Sequence, residues 1–250
     1  MARLIICIIL GLFAHPSWAQ ESPQVALTFS TFALGNVGEE IYYAEPKNEA
    51  VPLRFKYRAR SGPYEYRGPT PLTFFTIEGE GAEAERRPIA RAKIPSGVGE
   101  ALLLFVPYEH DGLKYGVYVT PDDLSTFPAN SIVFVNFTPR PMIVRMDEDV
   151  FQVEPGRSPA QDLSPWIGRE VTLGGGTNND SERTRRVSAV PIEILAPMDE
   201  EWVRVYSRVM RLGPDKRYIF YAFREGGPES GGVNTRILDE VVRSHTASPP

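Results

Sequence analysis

Cysteine is nearly missing from this 250-residue chain: the one thiol, Cys7, lies in the first apolar stretch, and histidine occurs only as His15, His110 and His245. Long hydrophobic runs are missing too. The longest, Leu4 to Ala14, falls short of the roughly 20 residues that span a bilayer, so no transmembrane segment is expected once it is removed. Positive charge is not in excess: 27 basic against 32 acidic residues give −5, which excludes the basic field that a general nucleic-acid binder needs. No stretch sustains a helical period of apolar residues, which leaves little room for long helices.

What stands at the N-terminus is informative. Arg3, the apolar run to Ala14, and the small residues of Ser17-Trp18-Ala19 have the anatomy of a secretory signal peptide, residues 1–19. The mature chain is expected to start at Gln20 and to be periplasmic or secreted. Cys7 sits inside the apolar run behind Ile6, not after small residues at its end, which argues against lipidation. Cleavage would remove one basic residue, shifting the charge from −5 to −6, together with Cys7 and His15. A mature chain without cysteine has no disulfides, thiol nucleophile or cysteine-ligated zinc, and its fold must rest on its core. Export without cysteine points to a bacterial protein.

Glycine and proline, 21 and 23 residues, together make about 18% of the chain against a usual ~12%, which argues for many turns between short elements. Val51, Leu53, Phe55 and Tyr57 alternate with Pro52, Arg54, Lys56 and Arg58, the pattern of a half-buried strand. Short stretches rich in β-branched and aromatic residues recur at 24–33, 71–77, 100–107, 113–119, 131–137, 142–146, 187–195, 201–212, 217–224 and 235–242. Asp111-Gly112 and Gly213-Pro214-Asp215-Lys216 read as hairpin connections between the strands that flank them. Thr138-Pro139-Arg140-Pro141 and Glu154-Pro155-Gly156 end others, because proline cannot donate a ladder hydrogen bond. The expected fold is all-β, an antiparallel β-sandwich over residues 20–243, possible as two packed sandwich units with a boundary at 156–169. Loops are expected at 78–88, 156–169 and 174–186, and a disordered tail at 244–250. No internal repeat is evident in the sequence.

Residues 131–156, SIVFVNFTPRPMIVRMDEDVFQVEPG, combine a strand, an Asn-aromatic-Thr turn, a proline, an alternating strand and a Pro-Gly. With the hairpin expected at 201–224, this resembles uncharacterised secreted β-rich proteins of Gram-negative bacteria. The resemblance covers roughly a fifth of the chain, rests on turn chemistry, and implies export and nothing about activity.

Catalytic candidates are few. A Ser-His-Asp mechanism needs a placed imidazole, yet His110 falls at a hairpin tip, His245 falls in the tail, and no Gly-x-Ser-x-Gly elbow occurs. Glycoside hydrolysis needs only two carboxylates, and Asp122-Asp123, Asp147-Glu148-Asp149 and Asp199-Glu200-Glu201 supply acids, all at expected turns where they stay solvated. Asp147-Glu148-Asp149 and Asn178-Asn179-Asp180 lack the spacing of a calcium loop, and Gly174–Gly176 lacks the Lys-Ser or Lys-Thr of a phosphate cradle. Asn136-Phe137-Thr138 and Asn179-Asp180-Ser181 match the glycosylation pattern by chance. Neither a metal nor a cofactor is expected.

Aromatic display offers another route to binding, because rings stack on sugars at low entropic cost. Tyr64 and Tyr66, between Gly62-Pro63 and Gly68-Pro69, form either such a display or a short edge strand whose tyrosines cover the core. Trp166, in a proline-bounded loop, carries the same two readings, Trp202 is expected in the core, and Arg183–Arg186 is expected to be solvated. The leading expectation is an exported, non-catalytic binding or cell-envelope protein whose partner is an envelope protein or a glycan. A polysaccharide hydrolase using two carboxylates is the alternative.

Overall fold

The computed structural model describes residues 23–45, 47–79, 81, 84–173, 183–199, 201–224 and 232–242. The expected signal peptide, the triple glycine, Asn178–Asp180, Asn179-Asp180-Ser181, and the tail with His245 lie outside them. The described residues form β-strands and short connections, with one 3-10 turn at Ser164–Trp166. The first half contains β1 (Gln24–Ala33), β2 (Ile41–Ala44), β3 (Ala50–Leu53), β4 (Ser61–Pro69), β5 (Leu72–Glu78), β6 (Glu85–Ala92), β7 (Glu100–His110) and β8 (Leu113–Pro121). The second contains β9 (Ser131–Asn136), β10 (Met142–Met146), β11 (Asp149–Val153), β12 (Gly156–Arg157), β13 (Gln161–Asp162), β14 (Arg169–Leu173), β15 (Arg183–Val187), β16 (Ala189–Met198), β17 (Glu201–Arg211), β18 (Lys216–Arg224) and β19 (Val233–Val241).

Three segments are apolar without alternation: 101–106 in β7, 132–135 in β9 and 218–223 in β18, and all of these residues are buried. A strand buried at every position must have a core on each face. That is their role here. Ala101, Leu103 and Phe105 face the first core, while Leu102, Leu104 and Val106 face a middle one. Ile132 and Phe134 of β9, with Tyr218, Phe220 and Ala222 of β18, face a third core; Val133, Val135, Ile219, Tyr221 and Phe223 turn to the middle. The protein is therefore an all-β stack of four sheets in the order β3-β2-β5-β6, β4-β1-β7-β8, β12-β9-β18-β19 and β11-β10-β16-β17, with an apolar layer in each gap.

The two outer-inner pairs share one topology. Each inner sheet holds one parallel pair, β1 with β7 and β9 with β18, among otherwise antiparallel neighbours. The expected all-β sandwich of antiparallel sheets is thus present, with one parallel pair inside each inner sheet. The β14–β15 hairpin is the addition in the second half. The chain passes between the halves at 122–130. Residues 156–169, the candidate boundary, run along β9: β12 and β13 pair with it, and the turn that follows seats Leu163 and Trp166 in the third core.

Several local expectations change. Gly213–Lys216 is not a hairpin, because β17 pairs with β16 and β18 with β9 and β19, so the chain crosses between sheets there. The alternating strand of 51–57 ends at Leu53: Tyr64 Oη accepts from the Arg54 amide at 2.8 Å, Ser61 Oγ accepts from the Lys56 amide at 2.9 Å, and Arg58 turns the chain at a φ of 53°. Tyr57 is consequently exposed. Trp202 is 48% exposed and not in the core, since β17 is an edge strand and Trp202 pairs with Pro197 at its start. Asp111 and Gly112, both with positive φ, do form the tight turn between β7 and β8, and the His110 side chain is 66% exposed beside it. Asn136 is buried: its amide donates to the Arg140 and Val153 carbonyls and accepts from Thr138, so both of its ends are used.

The middle layer is closed at one end by charge. Arg60, ahead of β4, and Asp122, after β8, meet Arg217 of β18 and Glu240 of β19. Arg217 Nη2 lies 2.9 Å from Asp122 Oδ1, its Nε lies 2.5 Å from Glu240 Oε1, and Arg60 Nε lies 3.0 Å from Glu240 Oε2; Arg60 also pairs with Asp122. Each carboxylate thus has both guanidinium groups. Arg217 also donates to the Asp122 and Phe127 carbonyls and stacks on the Phe127 ring at 4.7 Å. Burial pushes the Glu240 carboxyl up, against the two arginines that hold it down.

Candidate binding groove

A groove of about 580 Å³ opens at one end of the first sandwich, within the size range of small-ligand sites. One wall is the end of β4, and Phe75 of β5 and Arg86 and Pro88 of β6 contribute the other side. The β4 wall follows from its sequence. Tyr66 folds along its own strand so that its Oη donates to the Pro69 carbonyl at 2.7 Å, and a Cβ at Gly68 would come within 2.6 Å of the Tyr66 Oη. Only glycine fits beneath the ring.

The opposite side carries fixed charge. The Arg86 guanidinium lies 4.7 Å from the centre of the Phe75 ring and donates to the side-chain and main-chain oxygens of Asn48, at 2.5 and 2.6 Å. Phe75 in turn stacks on Tyr42 at 6.2 Å. Asn48 neutralises none of the arginine's charge. The groove, whose lining also includes Arg67 and one carboxylate, Glu45, therefore offers an oriented cation beside apolar proline and aromatic surface, the chemistry that receives an anionic group on a ligand with apolar faces.

The aromatic candidates do not come together. Tyr66 lines this groove but is 5% exposed, its ring belonging to the first core. Tyr64 is half-buried, its ring against Phe29 and Tyr43, and its hydroxyl ties β4 to Arg54. Trp166 lies in the second half, 9% exposed, its Nε1 donating to Asp147 at 3.3 Å. Edge-strand tyrosines that cover a core describe Tyr64 and Tyr66. Arg86 and Asn48 escaped notice because nothing in sequence brings residues so far apart together.

Trp166 also lines a cleft of about 460 Å³ that holds Asp149 and Asp162. Asp162 accepts the Ser164 amide at 2.9 Å, and hydrogen bonding from Ser164 holds its carboxyl below the ordinary range. It is an anion there. A glycosidase acid needs the opposite shift. Asp147, another candidate acid, pairs with Arg169 at 3.0 Å, and Asp122 is enclosed by arginines. Among the described residues no cluster of three or more histidine, aspartate or glutamate side chains has the arrangement of a metal site, and no helix is long and apolar enough to cross a membrane. No protein-family model matches the chain, and no curated protein matches it in sequence.

Proposed function

We propose that the chain is an exported, non-catalytic binding protein that uses the groove beside Arg86 to hold an anionic envelope component, a glycan or a protein segment. The observation that carries this reading is the guanidinium held between Asn48 and Phe75, with no carboxylate of a described residue paired to it, in the lining of a groove large enough for a ligand. Export rests on the signal-peptide pattern of residues 1–19, and N-terminal sequencing of protein recovered from periplasm or medium tests it. The binding reading is tested by titrating the mature chain with anionic and neutral envelope oligosaccharides by calorimetry. Arg86→Ala should weaken binding of the anionic members about tenfold or more, as expected when a charged hydrogen bond is lost. Binding unchanged in Arg86→Ala, or equal for neutral and anionic oligosaccharides, would refute the assignment.

A further inference from the structure

The shared topology makes the two sandwiches comparable edge by edge. In the first, β6 runs closely along β8 and shuts that side. The corresponding strands of the second, β17 and β19, approach each other only sparsely. Val205, Tyr206, Val233 and Ile237 pack on the third core there but remain only partly buried. Among the described residues β17 pairs with β16 alone, so one side of an eleven-residue strand keeps its main-chain groups unpaired. It contains neither proline nor glycine, and Trp202, Val203 and Val209 are 48%, 38% and 68% exposed. An open edge of this kind is a template for another strand.

Charge selects the occupant. In a chain of net charge −5, β17 carries Arg204, Arg208 and Arg211 against Glu201. Arg204 shares Glu193 with Arg145, while Arg208 and Arg211 make no ion pair with a described residue. A second copy of β17, centred antiparallel on the first, would set Arg204 opposite Arg208 in the body of the ladder, where like charges directly opposed are destabilising, and would bring Glu201 to Arg211 only at the strand ends. We infer that the open β17 edge binds an extended acidic segment of a partner protein by strand addition, with Arg208 and Arg211 selecting its carboxylates. This surface is separate from the groove beside Arg86.

The test uses a fluorescein-labelled peptide of about ten residues, the upper length of an ordinary strand, built of valine and glutamate so that glutamates fall on both faces of the extended chain, because Arg208 and Arg211 point to opposite faces of β17. Its fluorescence anisotropy is followed with the mature chain, beside a lysine-for-glutamate version and a version N-methylated at alternate residues. The acidic peptide should bind, the other two should bind at least tenfold more weakly, and Arg208→Glu with Arg211→Glu should weaken the acidic peptide to the same degree. Binding that Arg86→Ala weakens while Arg208→Glu with Arg211→Glu does not would place the peptide in the groove and overturn the inference. A melting curve checks the double variant. Should it fail to fold, the comparison of acidic and N-methylated peptides on the unaltered protein still decides. Equal binding of the lysine or N-methylated peptide, no binding at millimolar concentration, or dimerisation of the free chain through β17 would each overturn the inference.

Discussion

Removing Arg217 would leave Asp122 and Glu240 to share Arg60 at the closed end of the middle layer. The Arg217 side chain is 9% exposed, and those of Asp122 and Glu240 are 11% and 18% exposed. Breaking a buried ion network on one side costs about 3–5 kcal/mol, because the charge left behind has given up water without a full complement of partners. The residual exposure places Arg217→Met at the lower end, about 3 kcal/mol, which lowers the melting temperature of a chain this size by about 6–12 °C. Glu240→Leu should cost a similar amount, since it leaves two arginines on Asp122. The double variant keeps one charge of each sign, Arg60 and Asp122, and should cost only about 1 kcal/mol, well below the sum of the single changes. Urea unfolding at neutral pH measures all three. Losses that add to within about 0.5 kcal/mol would show that the four side chains are not coupled, and the argument would fall.

Tyr66→Ala and Trp166→Ala should each cost about 3–5 kcal/mol in the same assay, as large buried aromatics do, whereas Tyr64→Phe should cost about 1 kcal/mol through its lost hydrogen bonds to Arg54. Asp123 is held down to about 2, first by the Ser125 hydroxyl and then by that of Thr126. A depressed carboxyl stabilises the fold above the ordinary aspartate range, so the advantage of the native chain over Asp123→Asn should shrink as pH falls from about 4 toward 2, which urea midpoints across that window will read. Tyr43 and Tyr115 are pushed up to about 12, chiefly by burial. The unfolded chain loses these phenolic protons first, so stability should fall as pH rises through 10, and absorbance near 295 nm should show the two rings ionising late.

Alternation and turn residues mark the strands closely: β1 and β10 begin and end where the sequence places them. The same sequence held a stronger signal in residues 101–106, 132–135 and 218–223, whose unbroken apolarity requires strands covered on both faces and hence two sandwiches back to back. What local pattern cannot show is which sheet receives a strand. Gly213–Lys216 has the composition of a hairpin turn and serves as a crossover, and Trp202 has the look of a core residue because its strand's place at an edge is a tertiary fact. Arg86 with Asn48, and Arg60 with Asp122, Arg217 and Glu240, come from separated elements as ordinary polar and charged residues, so their pairing could not be anticipated.

The parallel pairs also set a timetable. Thr28 pairs with Glu100, and Ser131 with Arg217, so the central ladder of each sandwich joins the beginning of its half to the end. No central pairing forms until the intervening strands exist, and closing so long a loop must be offset by contacts that come only afterwards. A chain leaving a ribosome or a membrane pore could form the central pairing of its first inner sheet only once β7 had emerged, and that of its second only after β18. Until then β7, β9 and β18, each destined for two cores, are the segments with most to gain from a chaperone.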